Sequence, residues 1–281
     1  MKRAIDTSEI GDAVKALLMD VNYRLSPDVA NAITSAEKAE QSPLGKKVLG
    51  TLTENLRVAD AEQIPICQDT GMAVIFLDIG QDVELMGEFL DDAVNRGVRA
   101  AYTEGYLRKS VVSDPIERKN SGDNTPAIIH TRIVKGNEVT ITAAPKGFGS
   151  ENMSRVFMLK PAQGIEGVKE AVLETVKAAG PNACPPFVVG VGIGGDFEES
   201  ALMAKRALTR EIGSKSDVQW AADLEKELLD EINSLGIGPA GLGGSVTALA
   251  VHIITYPTHI AGLPVAVNMC CHVDRHGKVT L

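Results

Sequence analysis

The hydrophobic pattern of this chain changes its period near residue 60, and that change limits what the chain can fold into. Over residues 8–60, apolar side chains such as Ile10, Val14 and Leu18 recur at helical spacing, and Pro27 stands at the first position of a second predicted helix. From about residue 70 onward, short β-rich runs separated by glycine turns replace this pattern. The order predicts an α+β fold, a helical N-terminal part followed by a mixed sheet with helices, rather than a regular βαβ alternation.

Within this fold, three local patterns make specific predictions. Residues 84–104 have a helical pattern, and residues 107–126 form a long polar stretch with the features of a loop. Two predicted strands, residues 127–135 and 138–144, are joined by Gly136-Asn137, which is a hairpin signal. No composition shift or linker marks an internal boundary, so we expect residues 1–281 to form a single large catalytic domain.

Composition argues against a nucleic-acid-binding protein and against a membrane protein. The chain has a formal net charge of −9 and a pI near 5.1, which argues against a nucleic-acid footprint, although an acidic chain can still hold a basic pocket for an acidic substrate. No apolar run approaches the roughly 20 residues that cross a bilayer, and the N-terminus lacks the apolar core of a signal peptide. We therefore expect a cytoplasmic protein without membrane contact, in which thiols stay reduced.

A glycine-rich run, Gly190-Val-Gly-Ile-Gly-Gly195, fits the G-x-G-x-x-G pattern between a predicted strand and a predicted helix. A dinucleotide site would need a βαβ unit with an acidic residue at the end of the second strand, and neither follows here. Two other interpretations remain open: glycines that let the backbone approach an anionic ligand at a helix N-terminus, and glycines that allow tight packing.

The four cysteines stand in settings that are unusual for buried apolar residues. Cys67 is flanked by a proline and a glycine, Cys184 is followed by two prolines, and Cys270 and Cys271 form a doublet before His272. Each alone could be a small core residue, and zinc would need two closely spaced pairs. Three thiolates around a [4Fe–4S] cluster fit better, and they would leave one iron open as a Lewis acid. Nearby polar residues suit a dicarboxylate, because an arginine fork matches both carboxylate oxygens.

Five blocks of sequence occur in order over nearly the whole chain. They are Ile66-Cys-Gln-Asp-Thr-Gly71, Asp123-Asn-Thr-Pro126, Gly147-Phe-Gly-Ser-Glu-Asn152, Gly190 to Gly195 with Asp196, and Pro257-Thr-His-Ile-Ala261 with Leu263-Pro-Val-Ala-Val-Asn268. In these blocks the chain resembles the class I fumarate hydratases, and equally the α subunit of L-tartrate dehydratase. The resemblance implies a hydro-lyase, of the fumarate hydratase type, with an oxygen-sensitive [4Fe–4S] cluster bound by three cysteines.

The same resemblance implies the residues of the site. The cluster ligands would be Cys67, Cys184 and one cysteine of the doublet, for which Cys271 is the choice because the family's third ligand stands before a His-like position. The residues implied to contact the substrate are Gln68, Asp69, Arg108, Gly149 and His259.

Single-chain members of that family are about twice as long, and their second half carries the proposed catalytic base. The resemblance therefore implies an α subunit that a separate β subunit completes, with an α2β2 assembly expected, and no catalytic base on this chain. The predicted reaction is the hydration of fumarate to L-malate, with the dehydration of L-tartrate as the alternative. Two more distant hypotheses are a cluster-based sensor and a nucleotide-binding module.

Overall fold

The computed structural model of this chain describes residues 2–281. Their fold is a mixture of helices and sheets, which confirms the predicted α+β class. The chain folds into two compact units, each assembled from separate stretches of sequence. The first contains the chain up to Ser26, Leu56–Phe148 and Arg275–Leu281, and the second contains Pro27–Asn55 and Gly149–Asp274. Because both units are interleaved along the chain, no linker marks them in the sequence. The prediction of one catalytic domain over residues 1–281 stays a prediction.

The first unit is built on a four-stranded sheet with the order β10-β5-β2-β4. Its central strand β2 is buried over most of its length, and helices α1 and α4 pack against each other beside the sheet. Ile10, Val14 and Leu18 are fully buried in this core, which confirms the apolar face that the sequence predicts for the first helix. The elements are β1 Arg3–Asp6, α1 Thr7–Tyr23, β2 Met72–Gly80, β3 Val83–Met86, α4 Leu90–Glu104, β4 Ile128–Val134, β5 Val139–Lys146 and β10 Gly277–Thr280.

The predicted hairpin at Gly136-Asn137 is wrong. Strands β4 and β5 do not pair with each other, because β2 lies between them, parallel to β4 and antiparallel to β5. The connection crosses the end of β2 so closely that a Cβ on Gly80 would lie 2.5 Å from the carbonyl oxygen of Gly136. Gly136, at a φ of 110°, supplies the turn, and the buried apolar strand β2 takes the central place in the sheet.

The predicted helix over residues 84–104 begins too early. Residues Val83–Met86 form the short strand β3, which pairs with β1 in a parallel two-stranded sheet, and the helix α4 begins only at Leu90. No sequence pattern marks the short strands β1, β6 and β10, because each has only four or five residues. Pairing with neighbours that are distant in sequence forms these strands.

The second unit is built on a four-stranded sheet with the order β6-β9-β7-β8. Strand β7 is almost completely buried between β8, to which it is parallel, and β9, to which it is antiparallel. Helices α6 and α8 pack on this sheet and close the largest apolar core of the unit, and helix α7 also packs on the sheet, outside that core. The elements are α2 Pro27–Ala39, β6 Arg155–Leu159, α6 Gly164–Ala179, β7 Phe187–Gly195, α7 Phe197–Ala207, α8 Gln219–Ser234, β8 Ala248–Thr258 and β9 Leu263–Cys270.

Two further helices and three 3₁₀ turns complete the described part of the chain: α3 Pro43–Glu62, the one-turn helix α5 Phe148–Glu151, and the turns Pro161–Gln163, Gly180–Ala183 and Pro239–Gly241. Pro27 stands at the start of α2, as the sequence predicts. Among residues 2–281, no helix combines the length and the apolar character that a membrane span requires.

Candidate functional site

The first unit contains the loop that carries Cys67. This loop connects α3 to β2 and has no regular secondary structure. Cys67 is partly exposed, Gln68 is exposed and Asp69 is half-buried. Both oxygens of the Asp69 carboxylate accept hydrogen bonds from backbone N–H groups, Oδ1 from Gly71 at 3.1 Å and Oδ2 from Phe148 at 2.9 Å. Asp69 therefore fixes the path of the chain directly after Cys67 and Gln68.

A buried arginine, which the sequence did not single out, also holds this loop. Arg275 is only 3% exposed, and its Nη2 donates to the carbonyl oxygen of Asp69 at 2.7 Å. Its Nη1 donates to Oδ1 of the fully buried Asn22 at 2.8 Å, and the carbonyl of Asn22 accepts from the N–H of Ile66. Arg275 thus connects both sides of Cys67 to the core of the first unit. The four-residue offset of Arg275 from Cys271 is the one signal in the sequence that could have drawn attention to it.

The segment that carries Arg108 is attached to the same loop. The hydroxyl of Thr70 donates to the carbonyl oxygen of Arg108 at 3.1 Å, while the Arg108 side chain is exposed. The fully buried Asn124 accepts from the N–H groups of Ser110 and Val111 and donates to the carbonyl of Gly71. The first unit therefore brings four predicted residues into one neighbourhood: Cys67, Gln68, Asp69 and Arg108.

Two ionisable groups in this neighbourhood have shifted pKa values. Tyr102, whose hydroxyl points at the carbonyls of Thr70 and Gly71, is fully buried, and this burial raises the pKa of its phenol. For Asp123, burial opposes ionisation, but hydrogen bonds from Thr125 and Arg99 outweigh it and lower the pKa to about 2. Asp123 is therefore a carboxylate, and Tyr102 a neutral phenol, over the physiological range of pH.

In the second unit, the sheet brings Cys184 and Cys271 to one edge. Strand β7 begins at Phe187, three residues after Cys184, and strand β9 ends at Cys270, one residue before Cys271. The two strands are antiparallel, with Val188 paired with Cys270, so the beginning of β7 lies beside the end of β9. The register of this pair therefore places two predicted cluster ligands side by side, although 86 residues separate them along the chain.

The turn at Cys184 has an unusual backbone. Cys184 adopts the left-handed conformation, with φ 53° and ψ 67°, directly after a 3₁₀ turn and before the cis peptide bond between Pro185 and Pro186. Its carbonyl oxygen accepts from the N–H of His272 at 3.3 Å and lies 3.1 Å from His272 Nδ1. Because a carbonyl only accepts, Nδ1 carries the proton in this contact. The Cys184 side chain is exposed.

Gly149 stands beside the same turn. A Cβ built on Gly149 would meet only the carbonyl oxygen of Asn182, at 3.8 Å, so open space lies above this glycine. Gly149 is exposed within the one-turn helix α5. The second unit therefore brings together three predicted residues: Gly149, Cys184 and Cys271.

The cysteine doublet divides between the core and the surface. Cys270, the last residue of β9, is 4% exposed and packs in a small apolar cluster with Val188, Leu208 and Ala250. Cys271 follows the strand and is partly exposed, and its Sγ lies 3.8 Å from the carbonyl oxygen of Val273. Of the two thiols, therefore, only the one on Cys271 belongs to a residue with appreciable exposure. The choice of Cys271 as a ligand stays a prediction, and the burial of Cys270 is compatible with it.

His259 lies at the other end of this sheet. It follows β8, whose last residue Thr258 pairs with Gly195 at the far end of β7. Strand β9, with eight residues, runs from the His259 end to the Cys271 end, and at about 3.3 Å per residue it separates them by roughly 25 Å. The His259 side chain is exposed, and its Nδ1 accepts from the N–H of Ala261. The second unit therefore does not bring His259 to Cys184 and Cys271.

The glycine-rich run lies within β7 and has a packing role. A Cβ on Gly190 would lie 2.2 Å from the carbonyl oxygen of Ala204, and one on Gly192 would lie 2.0 Å from that of Ser200. Helix α7 lies directly on the backbone of β7 at these positions, and Asp196 caps the first turn of the helix by accepting from Glu199 N–H. Of the interpretations that the sequence left open, the structure supports tight packing.

The donor set fits an iron–sulfur cluster better than a single metal ion. None of the four cysteines, all of which lie in the described part of the chain, forms a disulfide. Among residues 2–281, no group of three or more His, Cys, Asp and Glu side chains is arranged to hold one metal ion. In a [4Fe–4S] cluster each thiolate binds a different iron, so its ligands need not converge on one point. Cys67, Cys184 and Cys271 are exposed or partly exposed residues that lie outside the helices and strands.

Comparisons with known proteins cover almost all of the chain. Residues 11–280 match the family described as fumarate hydratase (fumerase). A protein of Methanocaldococcus jannaschii, provisionally named L(+)-tartrate dehydratase subunit alpha, is 44% identical over 275 residues, which are 95% of each chain. The L(+)-tartrate dehydratase subunits alpha of Escherichia coli K12 and Shigella sonnei are 34% identical over 262 residues, which are 92% of this chain and 86% of theirs.

Proposed function

The chain belongs to the fumarate hydratase family, and we propose that it is the α subunit of a two-subunit [4Fe–4S] hydro-lyase. Its similarity extends over 95% of a relative whose name contains "subunit alpha", which supports a subunit of the same kind. The observation that carries the proposal is the register of β7 and β9, which places Cys184 and Cys271 at one edge and turns Cys270 into the core.

The proposed cluster ligands are Cys67, Cys184 and Cys271. When bound, a cluster with three thiolate ligands supplies one iron with an open position, a Lewis acid for a hydroxyl and a carboxylate of the substrate. The protein holds each ligand on a segment that is fixed locally. Asp69 and Arg275 fix the chain after Cys67, and His272 fixes the carbonyl of Cys184.

The remaining site residues suit the binding of a dicarboxylate. The exposed guanidinium of Arg108 has five N–H donors in a fork that matches the two oxygens of a carboxylate. The exposed amide of Gln68 adds donors for a second oxygen. Gly149 leaves space for a ligand to approach its backbone, because it has no side chain. We expect Asp69 to act on substrate through its position in this loop, since both of its oxygens already accept backbone N–H groups.

His259 takes part in this proposal only through another polypeptide. It lies at the far end of β9 from Cys271 in its own unit, so its imidazole cannot reach a substrate at Cys184 and Cys271 of that unit. An α2β2 assembly, in which His259 of one α subunit contacts substrate beside a neighbouring chain, would reconcile the family resemblance with this geometry. The β subunit would supply the base that removes the proton from the carbon adjacent to the carboxylate.

The proposed reaction is the reversible hydration of fumarate to L-malate, which is the activity that the family description names. The second candidate is the dehydration of L-tartrate, favoured by the names of the relatives at 34–44% identity. Both reactions remove or add water at a four-carbon dicarboxylate, and they differ by one hydroxyl group on the substrate. We propose the cytoplasm as the location, because the ligands must remain reduced thiols.

The test is anaerobic purification of the chain together with its β subunit, followed by iron analysis and initial rates with L-malate, fumarate and L-tartrate. We expect the substitutions Cys67→Ala, Cys184→Ala and Cys271→Ala to abolish the iron–sulfur absorbance and the activity. The matched control is Cys270→Ala, which removes a buried thiol from the same doublet and should retain iron and turnover. Iron retained by the Cys271 variant and lost by the Cys270 variant would reverse the assignment. Full turnover by the α chain alone would contradict the two-subunit arrangement.

Two functions of other classes make different predictions. A cluster-based sensor would bind DNA, and a gel-shift experiment with the reconstituted complex would detect this. A nucleotide-binding module would bind a nicotinamide cofactor, which calorimetry measures directly. We expect neither signal, because the chain is acidic and because α7 occupies the space above Gly190 and Gly192.

A further inference from the structure

The glycine-rich segment of residues 238–246 has no role in the site described so far. It contains the 3₁₀ turn Pro239–Gly241 and leads to strand β8 in the second unit. Four of its residues are glycines with positive φ: Gly238, Gly241, Gly243 and Gly244. Such a segment has many accessible conformations in isolation, so its single conformation here must be imposed by contacts.

Glu40 supplies the first of these contacts. Its side chain is fully buried, and its two carboxylate oxygens accept from the backbone N–H groups of Ser245 and Val246 at 2.8–3.0 Å. They also accept from the hydroxyl of Ser245 and from the N–H groups of Gln41 and Ser42, at 2.7–3.2 Å. Every one of these donors is a neutral group. A carboxylate is costly to bury, so this one acts as a multiple acceptor that holds the end of the glycine segment.

The ionisation state of Glu40 is consistent with that role. Burial by itself disfavours the charged form, but the hydrogen bonds from Ser42, Ser245, Val246 and Gln41 outweigh this and lower the pKa of the carboxyl. Gly244 allows the close approach, because a Cβ there would lie 2.7 Å from Glu40 Oε1. The contact therefore requires both a carboxylate at position 40 and a glycine at position 244.

The other side of the same segment lies against the turn that carries Cys184. The N–H of Ala240 donates to the carbonyl oxygen of Pro185 at 2.9 Å. At Gly241, an added Cβ would lie only 2.4 Å from the Cβ of Pro181. The glycine segment thus contacts the turn on both sides of Cys184, three residues before it and one residue after it.

We propose that Glu40 is a positioning residue for Cys184, acting through the glycine segment of residues 238–246. The inference rests on the proposed function, because it gives Glu40 a role in holding one of the three cluster ligands. The carboxylate fixes Ser245 and Val246, the segment fixes the backbone at Pro181 and Pro185, and the Cys184 sulfur is thereby held in one direction. Glu40 itself does not touch the substrate or the cluster in this proposal.

The test uses three full-length variants. Glu40→Gln replaces a carboxylate oxygen by an N–H₂ group that faces N–H donors. Gly241→Ala leaves Glu40 intact and separates the segment from Pro181, so it breaks the same connection from the other side. The matched control is Glu225→Gln. Glu225 is also a buried carboxylate of the second unit, and it accepts from the N–H groups of Ile253 and Ser216 and from Arg210, away from the Cys184 turn.

The first measurement needs no cluster. In the cluster-free chain, the rate of alkylation by iodoacetamide is measured at Cys184 by mass spectrometry, with Cys67 of the other unit as the internal reference. We expect Glu40→Gln to change the ratio of the two rates by about tenfold, the factor that follows from losing one hydrogen bond to a charged group. Gly241→Ala should change the ratio by a similar factor, because it displaces the segment from Pro181. In the Glu225 variant, the ratio of the two rates should stay within about twofold of that of the unmodified chain. This should hold even if the thermal midpoint of the Glu225 variant falls as much as those of the other two variants.

The second measurement uses the anaerobic complex with the β subunit. We expect the rate of iron release to a chelator to rise about tenfold in the Glu40 and Gly241 variants and to stay unchanged in the Glu225 variant. Unchanged alkylation and unchanged iron release in folded Glu40→Gln would overturn the proposal, and if that variant does not fold, the same result in Gly241→Ala decides against it. If the unmodified complex binds no iron, the proposed function fails, while the alkylation ratios still decide whether Glu40 positions Cys184.

Discussion

The loop of Cys67 and the turn of Cys184 carry similar thiols but are held in different ways. Polar side chains hold the first: Arg275 binds the carbonyl of Asp69, and Asp69 binds the N–H of Gly71, two and four residues after Cys67. Backbone conformation holds the second, through a left-handed residue, adjacent prolines and a glycine segment that packs against them. The comparison indicates that the Cys67 loop should be sensitive to the loss of single side chains, whereas the Cys184 turn should be sensitive to changes in conformational freedom.

The largest effect should come from Arg275→Met, which removes the buried guanidinium from the Cys67 loop. The carbonyl of Asp69 and Oδ1 of Asn22 would both lose a charged donor. Because unpaired buried acceptors cost about 1–3 kcal/mol each, we expect the free energy of unfolding to fall by about 3 kcal/mol. Urea denaturation measures this, and alkylation of Cys67 should become faster while that of Cys184 does not.

An exposed arginine of the same unit provides the control for this substitution. Arg24 forms ion pairs with Asp20 and Asp60, and its side chain is 49% exposed. Arg24→Met should cost less than about 1 kcal/mol, as exposed ion pairs do. Equal losses in the two variants would mean that the Cys67 loop does not depend on Arg275.

A smaller effect, of opposite sign, is expected at the turn of the second unit. The left-handed conformation costs a residue with a Cβ about 1–2 kcal/mol, and glycine avoids this cost but loses about 0.5–1 kcal/mol more conformational freedom on folding. Cys184→Gly should therefore raise the free energy of unfolding by about 0.5 kcal/mol and at the same time abolish iron binding. Cys184→Ala should abolish iron binding without the gain.

The matching substitution at the loop is Cys67→Gly. Cys67 does not have a positive φ, so glycine brings no relief there and should destabilise the chain. The measurement is the thermal midpoint of the cluster-free Cys184→Gly, Cys184→Ala and Cys67→Gly variants. A higher thermal midpoint for Cys67→Gly, or a lower one for Cys184→Gly, would contradict the proposal that backbone conformation holds the Cys184 turn but not the Cys67 loop.

The smallest effect concerns pH and the first unit alone. The pKa of Asp123 is lowered to about 2, so the folded state binds its proton less readily than the unfolded chain does. Its stabilising contribution is therefore complete above pH 4 and is lost as the pH falls from about 4 to 2. Because Arg99 is 55% exposed, we expect a contribution below about 1 kcal/mol, which Asp123→Asn should remove. Acid denaturation of the two proteins should then differ above pH 4 and converge near pH 2.

Much of the fold could be predicted from local sequence patterns. The predictions that failed share a cause, which is that local patterns do not determine which strands pair. The helical face of Ile10, Val14 and Leu18, the start of α2 at Pro27 and the strands of residues 187–193 and 263–269 agree with the structure. The hairpin at Gly136-Asn137 fails because the partner of a strand is chosen by the whole sheet, and β2 is the more apolar partner for both strands. Turn residues predict where the chain bends but not which strand lies beside it.

For the candidate site as well, local patterns identified some residues, and others became apparent only from contacts in the folded chain. The residue types and their flanking prolines and glycines pointed to Cys67, Cys184 and the doublet, and the family resemblance supplied Gln68, Asp69, Arg108, Gly149 and His259. The sequence did not identify Arg275 or Glu40, because a buried polar residue has no pattern of its own until its partners are known. Nor could it place His259 at the opposite end of β9 from Cys271.

The sequence by itself determined the fold class, the family and the chemistry of the donors, because periodicity, glycine and proline positions and side-chain type are properties of single segments. Only the tertiary structure decided which cysteine of the doublet lies in the core, the packing role of Gly190 and Gly192, and the contacts that lead from Glu40 to the turn of Cys184. These depend on strand register and on contacts between segments up to 206 residues apart. Such contacts are fixed by which surfaces pack together, and that choice is made by the folded chain as a whole.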